Sequence, residues 1–123
     1  MDYADSLAWL DLLHAETALK KSDLGIERIQ RLLAYLGNPH HGFKSIHVTG
    51  TSGKGSTCYF ISSILQSAGF KVGLNISPHL QQVNERIQLN GIPISNERFA
   101  SLTTKMREVM EKNDWPDGLP SYF

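Results

Sequence analysis

The chain has 123 residues, enough for one modest domain, and its 41% hydrophobic and 20% charged residues are ordinary for a globular protein. Its 12 basic and 12 acidic residues balance, so charge gives no reason to expect a nucleic-acid or membrane-surface partner. The sequence lacks a bilayer-spanning apolar run and the basic start of a secretory signal, and its single cysteine, Cys58, cannot form an internal disulfide. These features favour a cytoplasmic location.

Two helices are predicted in the first 40 residues. The first covers Asp5 to Lys20, and its apolar face consists of Leu7, Leu10 and Leu13, broadened by Trp9 and Leu12. The second carries an apolar face at the same spacing: Ile26, Ile29, Leu32, Leu33 and Leu36. Gly37-Asn38-Pro39 ends it, because glycine suits the position after a helix and proline cannot continue one.

A strand, a glycine-rich turn and a helix are predicted next. Ser45 to Thr49 is short and rich in β-branched residues, which is typical of a strand. The helix that starts within the following turn has an apolar face at spacing i, i+3, i+4, i+7: Ile61, Ile64, Leu65 and Ala68. Lys71 to Ile76 is a second predicted strand. A strand–helix–strand order predicts that the two strands are parallel, with a right-handed crossover.

A hairpin and a last helix follow. Asn90-Gly91 separates two apolar runs, which is the strongest short hairpin signal, and Pro93 restricts the second strand to a sheet edge. Ser95 or Asn96 is placed to cap a helix. The apolar face of that helix is Phe99, Leu102, Met106, Val109 and Met110.

The turn after the first strand has the chemistry of a phosphate-binding loop. Its glycines let backbone N–H groups converge on an anion, the helix N-terminus adds unpaired donors, and Lys54 adds a full positive charge. The general P-loop pattern is not met, because Val48 and Gly55 stand where it requires Gly and Ser/Thr. The alternative interpretation is a glycine-rich turn whose lysine is merely solvated.

Several ordered motifs resemble those of the folylpolyglutamate synthase/dihydrofolate synthase family, a relative of the Mur ligases. The stretch His47 to Ser56 is similar to the family's phosphate loop, and Ser77-Pro78-His79-Leu80 with Asn84-Glu85-Arg86-Ile87 follows at the family's distance. Asp23 to Arg28 resembles its pterin-contacting segment. The terminal Ser121-Tyr122-Phe123 is similar to the start of a further family segment.

The resemblance implies an α/β fold, the P-loop-containing three-layer α/β/α arrangement of a Mur-ligase-like central domain, represented by its N-terminal part. Residues 1–44 would form a helical lead-in with the pterin segment, and residues 45–123 the P-loop βαβ unit, the hairpin and the last helix. The family's C-terminal domain would be absent, so we expect this stretch alone to be inactive.

The implied activity is an ATP- and Mg²⁺-dependent amide ligation that adds L-glutamate to dihydropteroate or reduced folates. Lys54 would act in catalysis by offsetting phosphoryl charge, and Ser77 would ligate Mg²⁺. The implied ATP-binding residues are Thr51, Ser52, Gly53, Lys54, Gly55 and Ser56. The implied substrate-binding residues are Asp23, Leu24, Gly25, Ile26, Ser121, Tyr122 and Phe123.

Several alternatives stay open from the sequence. Ser77-Pro78 is also compatible with a plain turn, and Asn84-Glu85-Arg86 with either a solvated loop or a structural role in the active-site loop. The alternative functions are a non-catalytic nucleotide-binding module and another P-loop NTPase or kinase. A kinase would need an aspartate at the end of a later apolar strand, and no such strand precedes Phe123.

Overall fold

A computed structural model describes residues 1–18 and 26–121 of the chain. Within these ranges the α-helices are Tyr3–Ala18 (α1), Glu27–Tyr35 (α2), Lys54–Ser67 (α3) and Asn96–Lys112 (α4). The strands are Gly73–Asn75 (β1), Ile87–Leu89 (β2) and Ile92–Pro93 (β3), and short 3-10 turns occupy Pro39–Gly42 and Val83–Arg86. Two compact units result: the described residues of Met1–Lys44 and Phe99–Phe123 form one, and Ser45–Arg98 form the other.

The first unit has a helical core. Leu13 of α1, Leu32 of α2 and Met110 of α4 are buried together, and they are surrounded by half-buried apolar side chains: Trp9, Leu36, Met106, Val109, Trp115 and Leu119. The predicted faces of these helices are therefore confirmed at Leu13, Leu32 and Met110. They are wrong at other positions, since Leu12 is 71% exposed and Ile29 is 46% exposed.

The segment after α4 is held to the first unit by specific contacts. The Trp115 ring meets Tyr35 edge to face at 5.4 Å, and its indole N–H donates to the Met110 carbonyl at 2.8 Å. The Arg31 guanidinium pairs with the Asp117 carboxylate, with Nε at 2.9 Å from Oδ2. This pair raises the pKa of Arg31, chiefly through the hydrogen bond to Asp117. The irregular segment thus has a defined path although the sequence shows no periodic pattern there.

The second unit contains α3 and a three-stranded antiparallel sheet in the order β1-β2-β3. The hairpin prediction is confirmed: Leu89 pairs with Ile92, while Asn90 and Gly91 both have positive φ, at 50° and 79°, as a type I′ turn requires. Pro93 lies on the edge strand β3, as expected. On the central strand the buried Gln88 donates to the hydroxyl of Tyr59 on α3 at 2.9 Å.

The predicted parallel pair of strands is wrong in this structure. Residues 44–50 contain neither helix nor strand, and Ile46 is 63% exposed. The partner of β1 is β2, which runs antiparallel to it. A strand is stabilised by hydrogen bonds to a neighbouring strand, and none of the described strands pairs with Ser45–Thr49. The predicted buried face of α3 is also wrong at Ile64, which is 67% exposed.

The start of α4 has the expected side-chain cap. Helix α4 begins at Asn96, and the Ser95 hydroxyl accepts a hydrogen bond from the backbone N–H of Arg98 at 3.1 Å, which is the predicted cap. None of the helices in residues 1–18 and 26–121 is long and apolar enough to cross a membrane.

Candidate functional site

Glycine conformations shape the loop between residue 50 and α3. Gly53 precedes the first helical residue with φ of 76°, and Gly50 has φ of 153°. Side chains other than glycine's rarely adopt either conformation. The chain therefore turns sharply into α3, and the helix begins at Lys54 directly behind the loop.

The N-terminus of α3 presents free backbone donors. Its first helical hydrogen bond runs from the N–H of Thr57 to the carbonyl of Gly53 at 3.0 Å, and no side chain caps this end. A helix start leaves its first N–H groups without acceptors inside the helix, and here they belong to residues 53–56. Together with the helix dipole they form a site that favours an anion.

Lys54 adds the charge expected of a phosphate-binding loop. Its side chain is exposed, and the ammonium group donates to the Gly50 carbonyl at 2.7 Å, across the loop. Thr51, Ser52 and Ser56 are exposed as well, while Gly55 is half-buried. The six residues expected to bind nucleotide therefore lie together around one helix end. Since the loop's only positive side chain is Lys54, its charge matches a phosphate rather than a cation.

The loop that follows β1 carries the candidate metal ligand. Ser77 is exposed and precedes Pro78 through a cis peptide bond. Just before it, the N–H of Ile76 donates to the Arg86 carbonyl at 3.1 Å, and the side-chain amide of Asn75 donates to the same oxygen at 3.2 Å. These bonds join the two ends of the loop, so Ser77 directly follows a residue, Ile76, whose backbone is held in place.

Glu85 organises the interior of this loop. Its Oε2 accepts the N–H of Leu80 at 2.8 Å, and its Oε1 accepts those of Gln81 and Gln82, both at 2.8 Å. These backbone donors hold the pKa of the Glu85 carboxyl below its usual range, and the charge of His79 acts in the same direction. The sequence left the role of this residue open. The one signal for it was the Gln82-x-x-Glu85 spacing, since the two form a reciprocal capping box.

The residues beside Glu85 are also structural. Asn84 is only 4% exposed, and its amide donates to the Ile94 carbonyl and to Asn96 Oδ1, each at 2.9 Å. Arg86 Nε donates to His79 Nδ1 at 2.8 Å, so His79 is engaged inside the loop. A merely solvated Asn84-Glu85-Arg86 segment is therefore excluded, and the structural role is the correct alternative.

Two of the expected substrate-binding residues, Ile26 and Ser121, are described, and both lie in the first unit. Asp23, Leu24, Gly25, Tyr122 and Phe123 lie outside the described residues. Ile26 is 62% exposed immediately before α2, and Ser121 is exposed. An open cleft of about 390 Å³ lies in the same unit, lined by Glu27, Arg28, Pro116 and Asp117. The cleft, Ile26 and Ser121 are all open to solvent.

Comparison with known proteins assigns the family. A scan against protein-family models gave no match. The chain is 45% identical over 100 residues to the dihydrofolate synthase/folylpolyglutamate synthase of Bacillus subtilis, an alignment that covers 80% of the chain and 23% of that relative. It also superimposes on the crystal structure of folylpolyglutamate synthase from Thermotoga maritima with a TM-score of 0.83 and 38% identity, over 98% of the chain and 27% of that structure. The chain belongs to the folylpolyglutamate synthase/dihydrofolate synthase family.

Family membership also confirms the predicted fold class. A folylpolyglutamate synthase complex with AMPPCP and folate matches 91% of the chain and 26% of its own length, with a TM-score of 0.78 and 33% identity. The fold is thus that of an α/β, Mur-ligase-like protein. The chain spans about a quarter of the length of these relatives.

Proposed function

We propose that the protein is an ATP-dependent amide ligase that adds L-glutamate to dihydropteroate, to reduced folates, or to both. The observation that carries this proposal is the helix N-terminus at Lys54, with free N–H donors, left-handed glycines and an exposed ammonium group. Likeness to a folylpolyglutamate synthase complex with AMPPCP, an analogue of ATP, and folate supports both the nucleotide and the substrate class.

In this proposal the loop Thr51–Ser56 binds the ATP phosphates. The backbone N–H groups at the start of α3 would bind phosphate oxygens, and Lys54 would offset charge that builds up on the moving phosphoryl group. Its ammonium would exchange the Gly50 carbonyl for a phosphate oxygen, which is a stronger acceptor because it is charged.

The described residues fit a magnesium ion that is held mainly by substrate phosphates and water, with a single protein oxygen. Residues 1–18 and 26–121 hold no cluster of three or more His, Cys, Asp or Glu that would bind a metal alone. Mg²⁺ commonly keeps several waters and takes few protein oxygens besides substrate phosphates, so the exposed Ser77 hydroxyl is a sufficient partial ligand. When bound, the ion would neutralise phosphate charge during transfer.

Binding of the pterin substrate is proposed for two segments of the chain. Asp23 to Ile26 would contact the dihydropteroate ring system, together with Ser121 to Phe123. The exposed side chains of Ile26 and Ser121 support this assignment, because a flat ring system needs accessible apolar and polar surface.

The proposed reaction has two steps. A substrate carboxylate oxygen takes the γ-phosphoryl group of ATP, which gives an acyl phosphate and ADP. The amine of L-glutamate then attacks the acyl carbon, phosphate leaves, and the nitrogen loses a proton as the amide forms. Lys54 and the N–H groups of α3 would contribute charge stabilisation to the first step only.

The test is an assay of the full-length protein with ATP, Mg²⁺, L-glutamate and either dihydropteroate or tetrahydrofolate. A ligase forms ADP and a glutamylated product in equal amounts, and only when both acceptor and glutamate are present. Nucleotide binding without ADP formation would indicate a binding module. Sustained ADP formation over many turnovers without glutamate would indicate a kinase or NTPase, whereas a ligase without glutamate stops at the acyl phosphate after about one ADP per site. A cytoplasmic location is also proposed, on the basis of the free thiol of Cys58.

A further inference from the structure

The Glu85 carboxylate accepts three backbone hydrogen bonds within the loop after β1. Residues 80, 81 and 82 direct their backbone N–H groups at the two oxygens of Glu85, all at 2.8 Å. Charge-assisted bonds of this kind are roughly twice as strong as neutral ones.

Glu85 is itself placed by rigid neighbours. Before it, the buried Asn84 is bonded to the Ile94 carbonyl and to Asn96 at the start of α4. After it, the Arg86 carbonyl binds the N–H of Ile76. The carboxylate is therefore held at a defined position, and the loop is arranged around it rather than the reverse.

Ser77 lies between these two attachments. Its preceding residue, Ile76, is bonded to Arg86, and the chain beyond it is bonded to Glu85 from residue 80 onward. Only residues 77–79 are left between the fixed points, and His79 is bonded to the Arg86 guanidinium at 2.8 Å. A hydroxyl on so short a span has little freedom to move once both ends are fixed.

We propose that Glu85 is a positioning residue, whose three hydrogen bonds to the backbone of residues 80–82 hold the Ser77 hydroxyl where a nucleotide-bound Mg²⁺ requires it. The inference rests on the proposed function, because it takes Ser77 as the metal ligand. Glu85 acts through the loop and touches neither metal nor substrate.

The direct test is the substitution Glu85→Gln in the full-length protein. Glutamine has nearly the same size as glutamate, but its NH₂ group replaces one of the two oxygens that accept backbone N–H groups. We expect the amide-exchange protection of Leu80, Gln81 and Gln82 to fall. We also expect the Mg²⁺ concentration for half-maximal activity to rise about 10-fold or more, as typically follows when a group that orients a metal ligand is lost. Glu108→Gln on the exposed surface of α4 removes the same charge and should change neither quantity.

A double-mutant cycle shows whether Glu85 acts through Ser77. If it does, Glu85→Gln combined with Ser77→Ala should raise the Mg²⁺ requirement little beyond Ser77→Ala alone, whereas independent effects would multiply. Multiplying effects, or an unchanged Mg²⁺ requirement in Glu85→Gln, would overturn the positioning role.

Two outcomes separate this inference from the proposed function. If wild-type protein forms no glutamate-dependent ADP, the ligase proposal fails and the positioning role falls with it. If wild-type activity is present but the amides of Leu80 to Gln82 exchange as fast as in an unstructured peptide, the positioning role alone is overturned. That measurement needs no variant, so it stands even if Glu85→Gln fails to fold.

Discussion

The two loops of the second unit use backbone N–H groups in opposite ways. At the start of α3, the donors of residues 53–56 have no acceptor within the helix and no capping side chain. In the loop after β1, the donors of residues 80–82 are taken by Glu85. The first loop is proposed to bind an external anion, whereas the second carries its own anion, Glu85. The backbone donors would thus serve a ligand in the first loop, and they order the chain itself in the second.

The largest effect expected from breaking this contrast is that of Lys54→Ala. Removing the only charged side chain of the first loop should lower ligase activity about 100-fold or more, as loss of a preorganised charge-stabilising group does. The fold should be kept, because Lys54 is exposed. Steady-state ADP formation and the melting temperature are the measurements. Lys71→Ala, another exposed lysine of the same unit, serves as the control. Lys54→Ala activity within a few-fold of wild type would show that Lys54 binds no phosphate.

A smaller effect is expected from Gly53→Ala. The position has φ of 76° and no atom within 4 Å of an added Cβ, so the cost is backbone strain alone, about 1–2 kcal/mol. Gly55→Ala is the matched variant for stability, since it is equally open but lies inside the helix with an ordinary φ. It should raise the melting temperature slightly, because alanine favours helix over glycine. Equal shifts in both variants, measured by thermal unfolding, would contradict the left-handed start of α3.

The contrast also predicts a selective footprint of the nucleotide. Addition of AMPPCP with Mg²⁺ should slow amide exchange at residues 53–56, because free donors gain acceptors. It should leave Leu80, Gln81 and Gln82 unchanged, since their donors are already bonded. Amide exchange resolved by residue distinguishes the two loops in one experiment. Protection that appears first at residues 80–82 would reverse the assignment.

The smallest effect is a pH dependence of the second loop. The folded-state pKa of Glu85 lies below 4.5, the ordinary glutamate value, so its contribution to stability is complete above 4.5 and is lost as pH falls through the lowered pKa. The amide chemical shifts of Leu80, Gln81 and Gln82 should therefore stay constant from pH 7 to 5 and move together below 4.5.

Two other groups must be considered in that titration. His79 faces Glu85, and its charge acts with the backbone donors to lower the pKa of that carboxyl. Glu97 also has a lowered pKa, from its own backbone N–H and the Ser95 hydroxyl, and contributes to any global acid transition. Glu85→Gln should abolish the shared shift at residues 80–82 but keep the part that Glu97 causes. A shift that persists in this variant would assign it to another group.

Features set by local chemistry could be predicted from the sequence. Asn90-Gly91 specified its turn because both residues tolerate positive φ, and Ser95 capped α4 because its hydroxyl reaches an N–H three residues on. The start of a helix at Lys54 followed from the glycines before it. In each case the deciding atoms lie within a few residues of one another.

Features that depend on residues far apart in the chain could not be predicted from the sequence. A strand at Ser45–Thr49 was predicted from β-branched residues, but a strand forms only where another strand supplies hydrogen bonds. Likewise, the apolar Ile64 fits a helical face without showing whether anything covers that face. The sequence could not predict the role of Glu85, because its carboxylate oxygens accept hydrogen bonds only when the backbone of residues 80–82 turns back toward them.

The buried Gln88 on β2 has a consequence for the alignment of the sheet. Side chains alternate between the faces of a strand, so a slip of one residue would turn Gln88 outward and bring Ile87 and Leu89 inward. By hydrophobicity alone that slipped pairing is attractive, since Leu89 is 57% exposed as the sheet stands. The slip would leave the Tyr59 hydroxyl and the Glu85 carbonyl without the amide that now serves both. A polar side chain in the middle of the sheet thereby makes the misaligned hairpin costly, and protects the chain against the pairing error that its apolar residues invite.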